Sequence, residues 1–202
     1  MSKVKLAIVF YSMGGTNYQM AKWAKEGAEK AGAEVKLFKV QELAPEGIVN
    51  TNELWRKTVE ATKDIPVAEA EVFDWADAMI FSVPTRFGVM ASQMKQFFDA
   101  NGGAWAQGKL ANKPVSAMSS AQNPHGGQEA TILSLYTTLM HWGALIVAPG
   151  YTDPSIGKAG GNPYGTSVSV NNENKMVEDI EEAVKYQAAR TVKVAQMLEK
   201  GK

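Results

Sequence analysis

The chain contains no cysteine, only two histidines (His125 and His141) and no excess of charge, since 21 lysines and arginines balance 21 aspartates and glutamates over 202 residues. Each shortage removes a class of function. Without thiols there is no disulfide framework, no cysteine nucleophile and no thiolate-held metal. Two histidines leave little material for a zinc site, so no metal is expected. A neutral chain without a basic run lacks the phosphate-contacting surface that nucleic-acid binding draws on. No apolar run approaches the roughly 20 residues that span a bilayer, so no membrane insertion is expected. The opening Met1-Ser2-Lys3-Val4-Lys5 runs straight into a strand-like segment without signal-peptide architecture, which predicts a soluble, cytoplasmic protein. The length suits one full-sized domain with insertions, and 45% hydrophobic residues supply a sizeable core.

What is present alternates short apolar runs with longer helical ones. Residues 4–11 (VKLAIVFY) predict a buried strand, then a small polar turn at 12–17 and a helix over 18–31 that Gly32 stops. Residues 33–40 predict a second strand nearer the sheet edge. The stretch 41–74 is the least regular, with one helix predicted over 53–63. Residues 76–83 predict a third strand ended by Pro84, and 90–100 a helix anchored in the core by Phe97 and Phe98. A fourth strand at 114–119, a helix at 127–142 and a fifth strand at 144–148 follow. Residues 149–172, rich in glycine, proline, serine and asparagine, predict a long loop. A terminal helix over 175–201 places Val177, Ile180, Val184, Ala188, Thr191, Val194 and Leu198 on one face. Five strands separated by helices predict a parallel sheet with right-handed crossovers, an open α/β sandwich with helices on both faces, as a single domain over 1–202. Ligands on such sheets lie at the carboxyl ends of the strands, where strand order reverses.

Three loops therefore matter. Ser12, Met13, Gly14, Gly15, Thr16 and Asn17 join the first strand to a helix. Hydroxyls, an amide and two glycines suit a turn of N–H groups around an anion, helped by the helix N-terminus. The segment has neither the G-x-x-x-x-G-K-[ST] nor the G-x-G-x-x-G spacing and carries no cation, which favours a phosphate monoester over a triphosphate or a dinucleotide. The same residues also suit a plain capped helix, with Ser12 or Thr16 as N-cap. After the third strand, Pro84, Thr85, Arg86, Phe87 and Gly88 combine rigidity, an aromatic ring and one cation. After the fourth, Ser119, Ser120, Ala121, Gln122, Asn123, Pro124, His125, Gly126, Gly127 and Gln128 are small, polar and flexible enough for a planar ring to approach the backbone. Singly, each is equally an ordinary βα turn. Together, a phosphate turn and two loops facing a flat heterocycle are the layout a mononucleotide needs.

At these residues the sequence resembles a known family, the flavodoxin-like NAD(P)H:quinone oxidoreductases of the tryptophan-repressor-binding-protein-A (WrbA) type. The matching segments are Tyr11-Ser12-Met13 with Gly15, Pro84-Thr85-Arg86-Phe87-Gly88, Gly102-Gly103 with Trp105, Gly126-Gly127-Gln128-Glu129, and Pro163-Tyr164-Gly165, in order over nearly the whole chain. The resemblance implies a flavodoxin-like fold with strand order 2-1-3-4-5, tightly bound FMN, a homotetramer, and two-electron reduction of quinones to hydroquinones by NADH or NADPH. It implies that Ser12 to Asn17 hold the FMN phosphate, that Thr85, Arg86, Phe87 and Gly88 meet the flavin ring, and that Ser120, Ala121, Gln122, Asn123 and Gly126 border its other edge. It also implies that His141 reaches the flavin site and that Trp105 walls the nicotinamide and quinone pocket. The chain departs from the pattern at Gly14, where many members carry an aromatic associated with nicotinamide binding. It departs again over Ala121 to His125, which differs from the shorter glycine-rich version of some members.

The mechanism this predicts leaves the hard chemistry to the flavin and positioning to the protein. One stacking site used in turn by nicotinamide and quinone predicts ping-pong kinetics. No protein acid is required; His141 either stabilises negative charge there or makes a structural hydrogen bond at a helix end. Arg86 suits stacking on or bonding to a ring, or else a surface ion pair. Trp105, expected in a loop, suits ring stacking or a subunit contact. Trp23, Trp55, Trp75 and Trp142 read as packing or interface residues. An electron-carrying flavodoxin and a non-enzymatic regulatory module are the alternatives. A carrier needs a charged docking face, which the 21/21 balance argues against.

Overall fold

A computed structural model describes residues 3–201; Met1 and Ser2, part of the start read above, lie outside the described residues. The elements in chain order are β1 (Lys5–Phe10), α1 (Thr16–Lys30), β2 (Glu34–Lys39), α2 (Glu46–Val49), α3 (Glu53–Ala61), α4 (Glu71–Trp75), β3 (Ala78–Arg86), β4 (Val89–Met90), α5 (Ser92–Ala100), α6 (Gly102–Ala106), β5 (Pro114–Ala121), α7 (Gln128–His141), β6 (Leu145–Ile146), α8 (Pro154–Lys158), β7 (Ser167–Ser169) and α9 (Glu181–Lys200). The main sheet is parallel, in the order β2-β1-β3-β5-β6. This is the expected 2-1-3-4-5 arrangement of a flavodoxin-like sandwich. Strand order reverses between β1 and β3, so their carboxyl ends diverge into loops on either side of a crevice.

Both sheet faces are covered, which explains why the central strands read as unbroken apolar runs. On one face Leu6, Ile8, Phe10, Ile80 and Met118 pack against α1 and α9. On the other, Val9, Phe81, Val83 and Val115 pack under α5 and α7. Phe97 and Phe98 anchor that layer as expected, in an aromatic cluster with Phe73, Phe81 and Trp142. On α9 the buried face runs through Ala183, Val184, Gln187, Ala188, Thr191, Val192 and Ala195. Val177 precedes the helix and is exposed, as is Leu198, so the predicted stripe holds only in its middle.

Three expectations need correcting. Pro84 does not end the third strand. Ser82 O accepts the Tyr11 N–H from the β1 side, and the nitrogen of Pro84, two residues on, faces the same side, where β1 has already turned away. The missing donor therefore costs no ladder bond, and the strand continues to Arg86. Met90, assigned to a helix, instead lies in β4, which folds back antiparallel on Thr85 and Arg86. The 149–172 loop contains α8 and β7.

The fifth strand position is therefore split. β6 pairs with Pro114 and Val115, whereas β7 pairs with Ser119 to Ala121. Between them, on the side away from β3, Ala117 of β5 has no strand neighbour. Side chains close the gap: the Ala117 N–H donates to Tyr136 Oη at 3.2 Å, and its carbonyl accepts from Gln187 Nε2 at 2.9 Å. Tyr136 Oη in turn donates to the Tyr164 carbonyl at 2.7 Å. A Cβ on Gly165 would lie 2.1 Å from Ala117 O, so the Pro163-Tyr164-Gly165 motif is the crossing where the chain re-enters the sheet. Among the described residues no helix is long and apolar enough to cross a membrane.

Candidate active site

The carboxyl ends of β1, β3 and β5 open into a cleft of about 590 Å³, within the range of small-molecule and cofactor sites. Its floor begins where β1 ends. Gly15 takes φ +89° at the position before α1, a conformation closed to most side chains, and the chain turns sharply into the helix. The first amides of α1 have no carbonyl one turn back to bond. Neither Ser12 nor Thr16 caps them through a side chain, so the plain capped-helix reading fails. Ser12 Oγ is buried and has no hydrogen-bond partner among the described residues. Ser12, Met13, Gly14, Thr16 and Asn17 line the cleft. The Asn17 side chain is already engaged: its Nδ2 donates to Ser82 Oγ at 3.2 Å and its Oδ1 accepts from Ser120 Oγ at 2.7 Å. It ties α1 to β3 and β5, and the Asn17 carbonyl accepts from Ser82 Oγ, leaving only the Asn17 N–H for a ligand.

The second wall is a hairpin rather than a βα turn. Phe87 and Gly88 form its two-residue tip, with φ +53° and +83°, the signs of a type I′ turn. Phe87 is fully exposed at 103% relative accessibility, yet its non-glycine backbone sits in the left-handed region. The hairpin is held from behind. Thr85 Oγ1 accepts from Thr131 Oγ1 at 2.6 Å, and a Cβ on Gly127 would approach the Gly88 Cα to 2.8 Å. Gly88 and Gly127 thus bring the hairpin against the β5–α7 loop and do not line the cleft. Arg86 does line it; its guanidinium donates to Thr85 O at 3.0 Å and to Met13 Sδ at 3.2 Å, and no carboxylate pairs with it among the described residues. The third wall is Ser120, Ala121, Gln122, Asn123 and Gly126. His125 is exposed beside it without lining the cleft.

Sequence reasoning missed the outer rim. Asn52 and Leu54 enter from the start of α3, and Val170 and Asn174 from the turn after β7. It also missed what fixes that rim. Glu42 accepts hydrogen bonds from Tyr11 Oη (3.0 Å), Trp55 Nε1 (2.8 Å), Gln93 Nε2 (3.0 Å) and the amides of Leu43 and Ala44. Burial pushes the Glu42 carboxyl up, but the Ala44 amide, Gln93, Trp55 and Tyr11 outweigh it and hold it below the usual carboxylate range. Burial, then the Glu42 charge, push the Tyr11 phenol well above its ordinary value. The hub clamps four segments around the cleft. It is spread over residues 11, 42, 55 and 93, so no spacing betrays it.

Trp105 and His141 are not brought to this cleft within one chain. Trp105 lies on the short α6, not in a loop, is 53% exposed, and donates from Nε1 to the His141 carbonyl at 3.0 Å. His141 ends α7, whose first residue borders the cleft region, so at 1.5 Å per residue it stands roughly 20 Å from that end.

The donor set fits a phosphomonoester with an attached planar ring: a partnerless buried hydroxyl and free helix amides at one end, an exposed aromatic and a guanidinium at the other. Comparison with known proteins agrees. Residues 5–154 match the family model described as NADPH-dependent FMN reductase. The chain is 51% identical over 195 residues to a Deinococcus radiodurans protein named NAD(P)H dehydrogenase (quinone), covering 96% of this chain and 97% of the relative. It is 39% identical over 206 residues to an Aromatoleum aromaticum protein of the same name, covering 98% and 99%. Among solved structures, a flavodoxin, WrbA-like protein from Agrobacterium tumefaciens superposes with TM-score 0.68 at 23% identity over 96% of this chain and 99% of that one, which supports the fold. With the family model spanning most of its length and full-length relatives of one name, the chain belongs to the NADPH-dependent FMN reductase family, in the branch whose relatives are named NAD(P)H dehydrogenase (quinone).

Proposed function

We propose that the protein is an FMN-dependent NAD(P)H:quinone oxidoreductase. The observation that carries this reading is the buried, partnerless Ser12 Oγ beside the uncapped start of α1, at the end of a cleft lined by Arg86 and Phe87. Ser12 Oγ, Thr16 Oγ1 and the amides of residues 12–17 would hold the FMN phosphate. Thr85, Arg86 and Phe87 would meet the ring on one side, and Ser120, Ala121, Gln122, Asn123 and Gly126 on the other. When bound, FMN supplies a ring that takes a hydride from a nicotinamide and gives it to a quinone. The chain's own contribution is to bind, orient and shield. Arg86, the one cation among the lining residues, stabilises negative charge at the ring edge. Phe87 presents an open aromatic face for stacking. A single open face serves both substrates in turn, hence ping-pong kinetics.

The reading extends to a homotetramer of single-domain subunits in the cytoplasm. Its support is local. The exposed side of α7 carries Leu133 and Met140, and Trp105 lies exposed against the helix end. Trp105 and His141 then meet a flavin only across a subunit boundary, His141 carrying charge stabilisation and Trp105 walling the substrate pocket. Stopped-flow mixing of the FMN-loaded protein with NADH and NADPH in turn, then with benzoquinone, tests the function. Rapid flavin bleaching by a nicotinamide and reoxidation by quinone is the expected result. Reduction only through a partner reductase would make it an electron carrier instead.

A further inference from the structure

The turn after β7 makes a contact that the reading above leaves unused. Val170 and Met176 bridge to close it, and Asn171 Oδ1 accepts the amides of Glu173 and Lys175, both at 3.0 Å. This builds a rigid turn with Asn174 at its tip, in the left-handed conformation at φ +60°. The Asn174 side chain reaches 160 residues back along the sequence and donates from Nδ2 to the Gly14 carbonyl at 2.6 Å. Its Oδ1 lies 2.8 Å from where a Cβ on residue 14 would stand. A side chain at position 14 would have to displace the Asn174 amide, so its absence there makes room for this contact.

We infer that Asn174 is a positioning residue for the phosphate site: by holding the Gly14 carbonyl toward the turn after β7, it turns the Gly15 N–H the other way, into the cradle. This rests on the reading of the cleft as an FMN site. The peptide joining Gly14 to Gly15 is planar and trans, so its carbonyl and its N–H point in opposite directions. A donor that fixes the carbonyl toward the turn fixes the N–H on the opposite side of the peptide. The same bond polarises the peptide and strengthens its N–H as a donor. Two consecutive glycines would otherwise let this peptide rotate freely. In a loop that has no lysine or arginine, orientation of amides is what remains to attract a dianion.

The test separates phosphate from ring. Dissociation constants for FMN and riboflavin are measured by flavin fluorescence on the wild type, Asn174→Gly and Asn174→Asp. Glycine keeps the left-handed turn and removes the amide; aspartate keeps the shape, cannot donate when ionised, and sets a charge beside the loop. FMN should bind about 5- to 10-fold more weakly to Asn174→Gly, the cost of one oriented donor to a charged group, and more weakly still to Asn174→Asp. Riboflavin, which lacks the phosphate, should change less than about two-fold in both. In ¹H–¹⁵N spectra, the large shift of the Gly15 amide on adding FMN should shrink in the variants. Equal weakening of FMN and riboflavin, or an FMN constant unchanged in both variants, overturns the role of Asn174. A wild type that binds neither flavin fails the FMN reading itself. Should one variant not fold, the other gives the same comparison.

Discussion

Phe87 offers the sharpest trade between stability and binding. Its ring touches solvent over its whole surface, so replacing it removes no buried area. Its backbone, at φ +53° in the first central position of a two-residue hairpin turn, is strained for any residue with a branched or bulky side chain. Asparagine before glycine is the sequence such turns prefer. Relief of a left-handed backbone is worth about 1 kcal/mol, which in a chain of this size raises the melting midpoint by about 2–4 °C. Phe87→Asn is therefore expected to melt later than the wild type as apoprotein, by calorimetry or circular dichroism. Phe87→Gly should gain less, because glycine also adds entropy to the unfolded chain. The same change removes an aromatic surface from the cleft, where ring stacking contributes about 0.5–1.5 kcal/mol, so FMN should bind up to about ten-fold more weakly. A Phe87→Asn apoprotein that melts at or below the wild-type midpoint, or that binds FMN unchanged, would refute the argument that strain is held there for ligand contact.

Other consequences follow from the same geometry. Glu42→Gln should cost about 1–3 kcal/mol near neutral pH by leaving donors of Tyr11, Trp55 and Gln93 mismatched. Because the folded carboxyl lies below its unfolded value, its contribution is full above the ordinary carboxylate range and fades as pH falls through the folded value; urea titrations of the two proteins should converge in acid. Gly127→Ala should push the hairpin away from the β5–α7 loop, lowering both the melting midpoint and FMN affinity, because its Cβ has 2.8 Å to the Gly88 Cα and a φ of +92°. Tyr136→Phe should destabilise by about 1–3 kcal/mol in denaturant titrations with FMN affinity intact, because it unpairs the Ala117 N–H and the Tyr164 carbonyl at the sheet gap. Trp105→Ala should slow quinone turnover and raise the quinone KM; unchanged turnover would remove Trp105 from the pocket.

The sheet was legible because its strands are buried on both sides and so read as dense apolar runs, and because strand and helix alternate. Residues 12–17 and 120–126 were legible because loops at strand ends have a compositional signature; 84–88 was singled out for the same reason, but as a βα turn and not as the hairpin it forms. Three things were not. Pro84 reads as a strand breaker unless the departure of β1 is known, since only the neighbour decides whether its missing N–H matters. β7 is three residues long and is recognised by its register on β5, not by its own pattern. The outer rim, Asn52, Leu54, Asn174 and the Glu42 hub, is assembled across long sequence separations, where single residues of ordinary type acquire meaning only by meeting one another.

On the proposed function, riboflavin 5′-phosphate lies in the cleft with its anionic end on the first loop. Crystals grown with FMN test it most directly. Electron density should place the phosphorus within hydrogen-bond reach of Ser12 Oγ and the amides leading into α1, with the ring between the hairpin tip and residues 120–126. Density for the flavin elsewhere, or a loop that stays empty at saturating FMN, would contradict it.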